Sequence, residues 1–152
     1  MMNDADYMKI ALGLAKEARA CGDVPVGAIV VKDGEIIGKG KNERVLYGSS
    51  VSHAEVVAIN EASKKLGGWR LGGCTLYVTL EPCPMCAGAV INSRIDRVVF
   101  GAKDAKAGCF GSVINFNCYP FNHRPDITEG VLGEECAAVL SDFFAAKRQM
   151  QK

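Results

Sequence analysis

Cys74-Thr75-Leu76-Tyr77-Val78-Thr79-Leu80-Glu81-Pro82-Cys83-Pro84-Met85-Cys86 runs from a strand straight into a helix, and that junction decides the fold. The six residues after Cys74 are β-branched, aromatic and aliphatic side chains that favour an extended chain. Pro82 suits the opening of a helix, where its missing N–H costs little, and the helix is expected to continue to about Ile91. Upstream, Ser52 with Glu55 three residues on has the form of a capping box. Val56, Ile59 and Leu66 follow at helical spacing and Gly67-Gly68 closes the segment. Val26–Val31, the turn Lys32-Asp33-Gly34 and Glu35–Gly38 predict a hairpin. Tyr7, Ala11, Leu14 and Ala18 form a helical stripe that ends at Cys21-Gly22-Asp23-Val24-Pro25. A loop spans Gly40 to Val51.

Downstream, Arg97–Gly101 is a further strand. Ala102 to Asp126 is irregular, with one short helix, and Ile127–Leu132 is a last strand. Cys136, Val139, Leu140, Phe143 and Phe144 give a C-terminal helix its apolar face. Strands interleaved with helices predict an α/β protein, a three-layer α/β/α sandwich with a mixed, five-stranded sheet whose first pair is antiparallel.

With 152 residues, 49% hydrophobic and 23% charged, the chain is expected to form one domain, 1–152, able to bury a proper core. Its start is polar and acidic, and no apolar run approaches membrane-spanning length, so the expected location is the cytoplasm and no membrane partner is expected. Seven cysteines form an odd set without disulfide-like spacing, which fits a reducing compartment. The net charge of +1 gives no general attraction to nucleic acid; only local clusters such as Arg94, Arg97, Lys103 and Lys106 can supply it.

His53-Ala54-Glu55 at one helix start and Cys83-x-x-Cys86 at the next supply three metal-ligand side chains and one further carboxylate. Two thiolates and a neutral imidazole match a zinc ion that keeps its fourth position for solvent. Water coordinated there is acidic enough to be hydroxide near neutral pH. Glu55 is too close along the chain to share the ion comfortably with His53. It is well placed to take a proton from that water and pass it to a ring nitrogen and a leaving amine. This chemistry suits hydrolytic removal of ammonia from an amidine-like carbon, as in a nucleobase ring. The separate pieces carry simpler readings. Ser52-x-x-Glu55 alone is an ordinary capping box, and Cys83-x-x-Cys86 alone is where a thioredoxin-type redox pair sits. A fourth ligand drawn from Cys21, Cys74, Cys109, Cys118 or Cys136, which otherwise read as small core or loop residues, would close the site.

His53-Ala54-Glu55 with Pro82-Cys83-Pro84-Met85-Cys86 resembles the signature of the cytidine and deoxycytidylate deaminase superfamily, a known mark of zinc deaminases. The blocks Leu80–Ala89, Ser93–Ala102, Asp104–Gly108, Asn122–Arg124 and Glu135–Phe144 extend the similarity to the bacterial tRNA-specific adenosine deaminases, over nearly the whole chain. The resemblance implies the sandwich fold and conversion of the wobble adenosine, position 34, of a tRNA anticodon stem-loop to inosine. It also implies a homodimer whose active sites use both subunits. It assigns one Zn2+ per subunit to His53, Cys83 and Cys86, and proton shuttling to Glu55. Asn42 would contact the flipped nucleotide, Asp104 and Lys106 would lie near the substrate backbone, and Asn122, His123 and Arg124 near the partner subunit or RNA. His123 reads more simply as a packed loop histidine. Cys118-Tyr119-Pro120-Phe121 and Ala145-Ala146 are less basic than the family pattern. A deaminase of guanine, cytosine or cytidine would share the same zinc core, and a non-catalytic zinc or redox protein is the remaining alternative.

Overall fold

Alternate residues of the central strands enter two separate cores. In β1 (Gly27–Lys32), Ala28 and Val30 face one way and Ile29 and Val31 the other; in β3 (Cys74–Leu80), Leu76 and Val78 oppose Tyr77; in β4 (Arg97–Ala102), Val98 and Phe100 oppose Val99. Strands buried on both faces require a layer of helices on each. The computed structural model describes residues 1–151, so Lys152, the last residue of the expected domain, lies outside the described residues.

The sheet has the order β2-β1-β3-β4-β5, with β2 at Glu35–Lys41 and β5 at Asp126–Thr128. β1 is antiparallel to both β2 and β3, whereas β3, β4 and β5 run parallel. The mixed, five-stranded α/β/α sandwich expected from the sequence is therefore the observed one. β2, β3, β4 and β5 all point one way and β1 alone points the other. The β1–β2 turn has positive φ at both Asp33 (50°) and Gly34 (76°), the two-residue geometry whose twist suits a hairpin.

Helices α1 (Asp4–Ala20) and α5 (Gly133–Met150) cover one face of the sheet; α3 (Ala54–Leu66) and α4 (Pro84–Ser93) cover the other. Asn3 and Asp6 cap α1 reciprocally. Its first turn is held to the sheet by Asp4, which accepts hydrogen bonds from the Tyr77 hydroxyl at 2.7 Å and from Arg97 at 3.0 and 2.6 Å.

Several boundaries differ from the sequence reading. The expected Ser52–Glu55 capping box is not formed: His53 is the N-cap of α3, and its side chain does not cap. Pro82 stands outside α4, whose N-cap is Cys83 and whose first residue is Pro84. The Gly40–Val51 loop contains a one-turn helix, α2 (Arg44–Tyr47), and the irregular region holds a 3-10 turn at Phe116–Cys118. β5 stops at Thr128 rather than near Leu132 because Gly130 and Leu132 take positive φ values of 80° and 52°, turning the chain into α5.

α3 lies unusually close to β2. A Cβ at Gly38 would run into the Ala58 carbonyl, and one at Gly40 into the Ala54 carbonyl. Gly13, within α1, faces open space. Gly40→Ala is expected to destabilise the protein by about 1–3 kcal/mol through overpacking. Gly13→Ala is expected to stabilise it by about 0.5–1 kcal/mol through helix propensity. Urea unfolding of the two variants checks both signs, and a neutral Gly40→Ala would contradict the close approach. The Arg97 hydrogen bonds hold the Asp4 carboxyl below its ordinary value despite partial burial. A depressed folded-state pKa stabilises the protein above the unfolded value, near 4, and that contribution disappears as pH falls through the lowered one. Asp4→Asn should flatten this part of an acid-unfolding titration.

Candidate metal centre and its cleft

Two helix starts face one another at the end of the sheet where β2, β3 and β4 finish. The His53 backbone is extended, so its imidazole leaves the axis of α3 and meets the first turn of α4, which carries Cys83 at its cap and Cys86 in the turn itself. His53 Nδ1 lies 3.6 Å from Cys83 Sγ and 3.5 Å from Cys86 Sγ. Zinc–sulfur bonds of about 2.3 Å and zinc–nitrogen bonds of about 2.0 Å, set at a tetrahedral angle, give nitrogen–sulfur edges of about 3.5 Å. The donor set therefore fits three corners of a tetrahedral cation, and among the described residues the group gathered there comprises these three side chains. Of the other cysteines, Cys74, Cys109 and Cys136 are buried in the cores and Cys21 and Cys118 are exposed.

Asn42 rather than Ser52 serves the start of α3. Its Oδ1 accepts the Ala54 N–H at 3.0 Å and its Nδ2 donates to the Val24 carbonyl at 3.1 Å. The end of β2 is thereby tied to the first turn that carries His53 and Glu55. Two helix N-termini place partial positive charge at the site, which favours thiolate over thiol. The hydrogen bond from the Cys86 thiol, followed by that from His53, pulls the Cys83 thiol down to about 4. The same proton sharing pushes Cys86 upward, with burial adding to it. His53 is raised, first by its bond to Cys83.

Glu55 is 4% exposed. Burial pushes its carboxyl up to about 7; its own backbone N–H opposes this, and repulsion from the Cys83 thiolate adds to it. Such a group exchanges a proton in either direction near neutral pH.

These side chains open on a cleft of about 530 Å³. Asn42, Asp104 and Lys106 line it. Asp104 Oδ1 accepts the backbone N–H groups of Lys106 and Ala107 at 3.0 and 3.2 Å, folding residues 104–107 into a turned rim. Arg124 is not brought to this cleft. It is exposed and donates to the Tyr119 carbonyl at 3.3 Å. His123 packs in its loop, with Nε2 at 2.6 Å from the Ile95 carbonyl oxygen.

Other lining residues lack a site-like signal in the sequence. Leu140 and Phe144 of α5 supply an apolar wall, although their periodicity announces only a core-facing stripe. Arg44 also lines the cleft, held by the buried Asp23, which accepts Val45 N–H at 2.9 Å and Val24 N–H at 2.8 Å. Glu81, noticed in sequence only as the residue before Pro82, is buried beneath the rim. A carboxylate next to a strand end carries no periodicity that distinguishes it from a surface residue.

The family profile described as MafB19-like deaminase matches residues 2–148. A tRNA-specific adenosine deaminase of Bacillus subtilis is 52% identical over 100% of this chain and 95% of its own length. A structure from studies of A-to-I editing by tRNA:A34 deaminases at the wobble position superposes with a TM-score of 0.86 at 40% identity, covering 88% of this chain and 98% of the other. The guanine deaminase of Nitrosomonas europaea superposes with a TM-score of 0.78 at 26% identity, covering 95% and 86%.

Asn42→Ala leaves the Ala54 N–H without its partner and should cost about 1–2 kcal/mol in urea unfolding. Asn42→Asp retains an acceptor for Ala54 but sets a carboxylate oxygen against the Val24 carbonyl, and should also destabilise the protein.

Proposed function

We propose, on the premise that the chain belongs to the MafB19-like deaminase family and to its tRNA-specific adenosine deaminases, that it converts adenosine to inosine at wobble position 34 of a tRNA anticodon. The reaction adds water at C6 of the adenine ring and releases ammonia. The observation that carries this reading is the Glu55 carboxyl, buried beside three donors spaced for one tetrahedral cation and open to a cleft.

His53, Cys83 and Cys86 hold one Zn2+ per subunit. When bound, the ion supplies the Lewis acidity that makes water a nucleophile near neutral pH. Glu55 takes one proton from the attacking water and hands it to the ring nitrogen, then takes the remaining proton from the new C6 hydroxyl and gives it to the amine, which leaves as ammonia while the C6 carbonyl forms. Its position at neutral pH between charged and protonated forms suits both transfers. Leu140 and Phe144 give the base an apolar wall, and the exclusion of water strengthens the polar contacts inside. Asn42 retains one amide hydrogen and one lone pair beyond its two backbone bonds, which it directs to the flipped nucleotide. Asp104 and Lys106 stand on the rim, where the lysine meets the phosphate backbone.

Arg124 lies away from the cleft of its own subunit, and a second copy would give it a part at a neighbouring cleft. The homodimer is proposed on that ground and on the exposed apolar side chains Val113, Ile114, Tyr119 and Phe121. Among the described residues no helix is long and apolar enough to cross a membrane, and action on tRNA supports a cytoplasmic location.

A purified sample incubated with an adenosine-34 stem-loop should yield inosine, and guanine, cytosine, cytidine and free adenosine should be left nearly unchanged. Turnover confined to guanine or cytidine would remove the tRNA assignment in favour of a small-substrate deaminase. Glu55→Gln should keep about one zinc per subunit while kcat falls by about 10²–10⁴. Cys83→Ala should lose the metal, read by elemental analysis of the same preparations.

A further inference from the structure

We infer that Glu81 is a positioning residue that sets the 103–107 rim of the cleft and joins it to the turn carrying Cys83. The inference rests on the proposed function for its kinetic readout. Glu81 is 2% exposed, yet among the described residues it has no cation partner. Its hydrogen bonds among the described residues all come from one loop. Oε1 accepts the Asp104 N–H at 3.1 Å and the Ser112 hydroxyl, and Oε2 accepts the N–H groups of Phe110 and Ser112, each at 3.1 Å. A further strap runs from the Cys109 N–H to the Pro82 carbonyl at 2.9 Å. Gly108 lies directly over the carboxylate, where any Cβ would occupy the place of its atoms.

The consequence follows from donor and acceptor counting. Four donors converge on one carboxylate from a loop with no regular secondary structure of its own between Asp104 and Ser112. The loop holds its shape because the anion beneath it holds it. Glu81 is also two residues from Cys83, so the same side chain places the rim relative to the metal turn. The Asp104 N–H is the bond that matters for the cleft, since Asp104 in turn folds Lys106 and Ala107 around its own Oδ1.

Glu81→Gln is isosteric but replaces one acceptor oxygen by an NH2 donor. With that NH2 at the Oε2 position it would confront two backbone N–H groups. At the Oε1 position it confronts only the Asp104 N–H, because the Ser112 hydroxyl can turn and accept. The less costly orientation therefore frees Asp104 and leaves Phe110 and Ser112 bound. The variant loosens the substrate-facing rim selectively.

The test compares Glu81→Gln with the unaltered protein by zinc content, by amide hydrogen exchange and by stem-loop kinetics. Zinc content should be unchanged, exchange at the Asp104 amide should accelerate about tenfold relative to Phe110, and KM for the stem-loop should rise about fivefold to tenfold with the loss falling on KM rather than kcat. Unchanged exchange at Asp104, or a loss carried by zinc content or by kcat, would overturn the inference. Should Glu81→Gln fail to fold, exchange in the unaltered protein decides in its place: Asp104, Phe110 and Ser112 amides slowed together uphold the role, and an Asp104 amide that exchanges as fast as an unbonded loop amide rejects it. Zinc content and exchange are read without RNA. They therefore test Glu81 even where the unaltered protein fails the stem-loop assay and the proposed function falls with it.

Discussion

Everything in the cleft depends on two helix N-termini meeting within the reach of one cation. The sheet topology enforces this. β1 is antiparallel to both its neighbours, so β2 and β3 point the same way, and the helices that follow them, α3 and α4, both begin at the same edge. β4 is parallel to β3 and delivers residues 103–112 to that edge too. Asn42, Glu81, Cys83, Asp104 and Lys106 each sit within a few residues of the carboxyl end of a strand in this set, and Asn42 ties the start of α3, with His53 and Glu55, to the same edge. Open α/β sheets place their ligand crevices at such ends for the same reason. The small residues Gly38 and Gly40 then let α3 settle close enough to β2 for Asn42 to reach Ala54.

Three buried carboxylates near this edge divide by how their charge is met. Asp23 receives two backbone N–H groups and the Arg44 guanidinium, and Glu81 receives three backbone N–H groups and a hydroxyl. Burial alone would raise both, but these donors hold each below its ordinary value, as fixed anions that organise loops. Glu55 is given no comparable set of donors from the surrounding loops, and burial lifts it towards neutrality. The same side-chain chemistry thus yields anchors where the loops are pinned and a proton carrier where the cleft opens. Which carboxylate does which is set by the backbone around it.

The sequence announced the layers well because strand burial is written in local composition. The Cys74–Leu80 strand matched its observed limits residue for residue, and the Asp33-Gly34 turn needed only two positions able to take positive φ. Errors gathered at element ends, where a competing partner far away in sequence decides. Ser52 has the right identity and spacing for a cap, yet Asn42 takes the Ala54 N–H because β2 runs three residues past Gly38 and brings it there. Pro82 and Pro84 are equally good openers by local rules. The Pro82 carbonyl is drawn off to Cys109, and the helix starts at Pro84. The last strand lost its end to the positive-φ turn at Gly130 and Leu132.

The donors His53, Cys83 and Cys86 and the carboxylate Glu55 were legible in sequence because metal chemistry restricts residue type and short spacing so severely. Family resemblance then named Asn42, Asp104 and Lys106. What the sequence could not hold was distance: that the imidazole stands 3.5–3.6 Å from both sulfurs, and that Leu140 and Phe144 of the last helix turn towards the cleft. It equally hid Arg124 lying away from that cleft and Glu81 lying beneath its rim. Local side-chain preferences determine which residues can do chemistry, since bonding capacity belongs to the residue itself. Only the tertiary structure decides which of them do it together, since burial and convergence belong to contacts between segments remote along the chain.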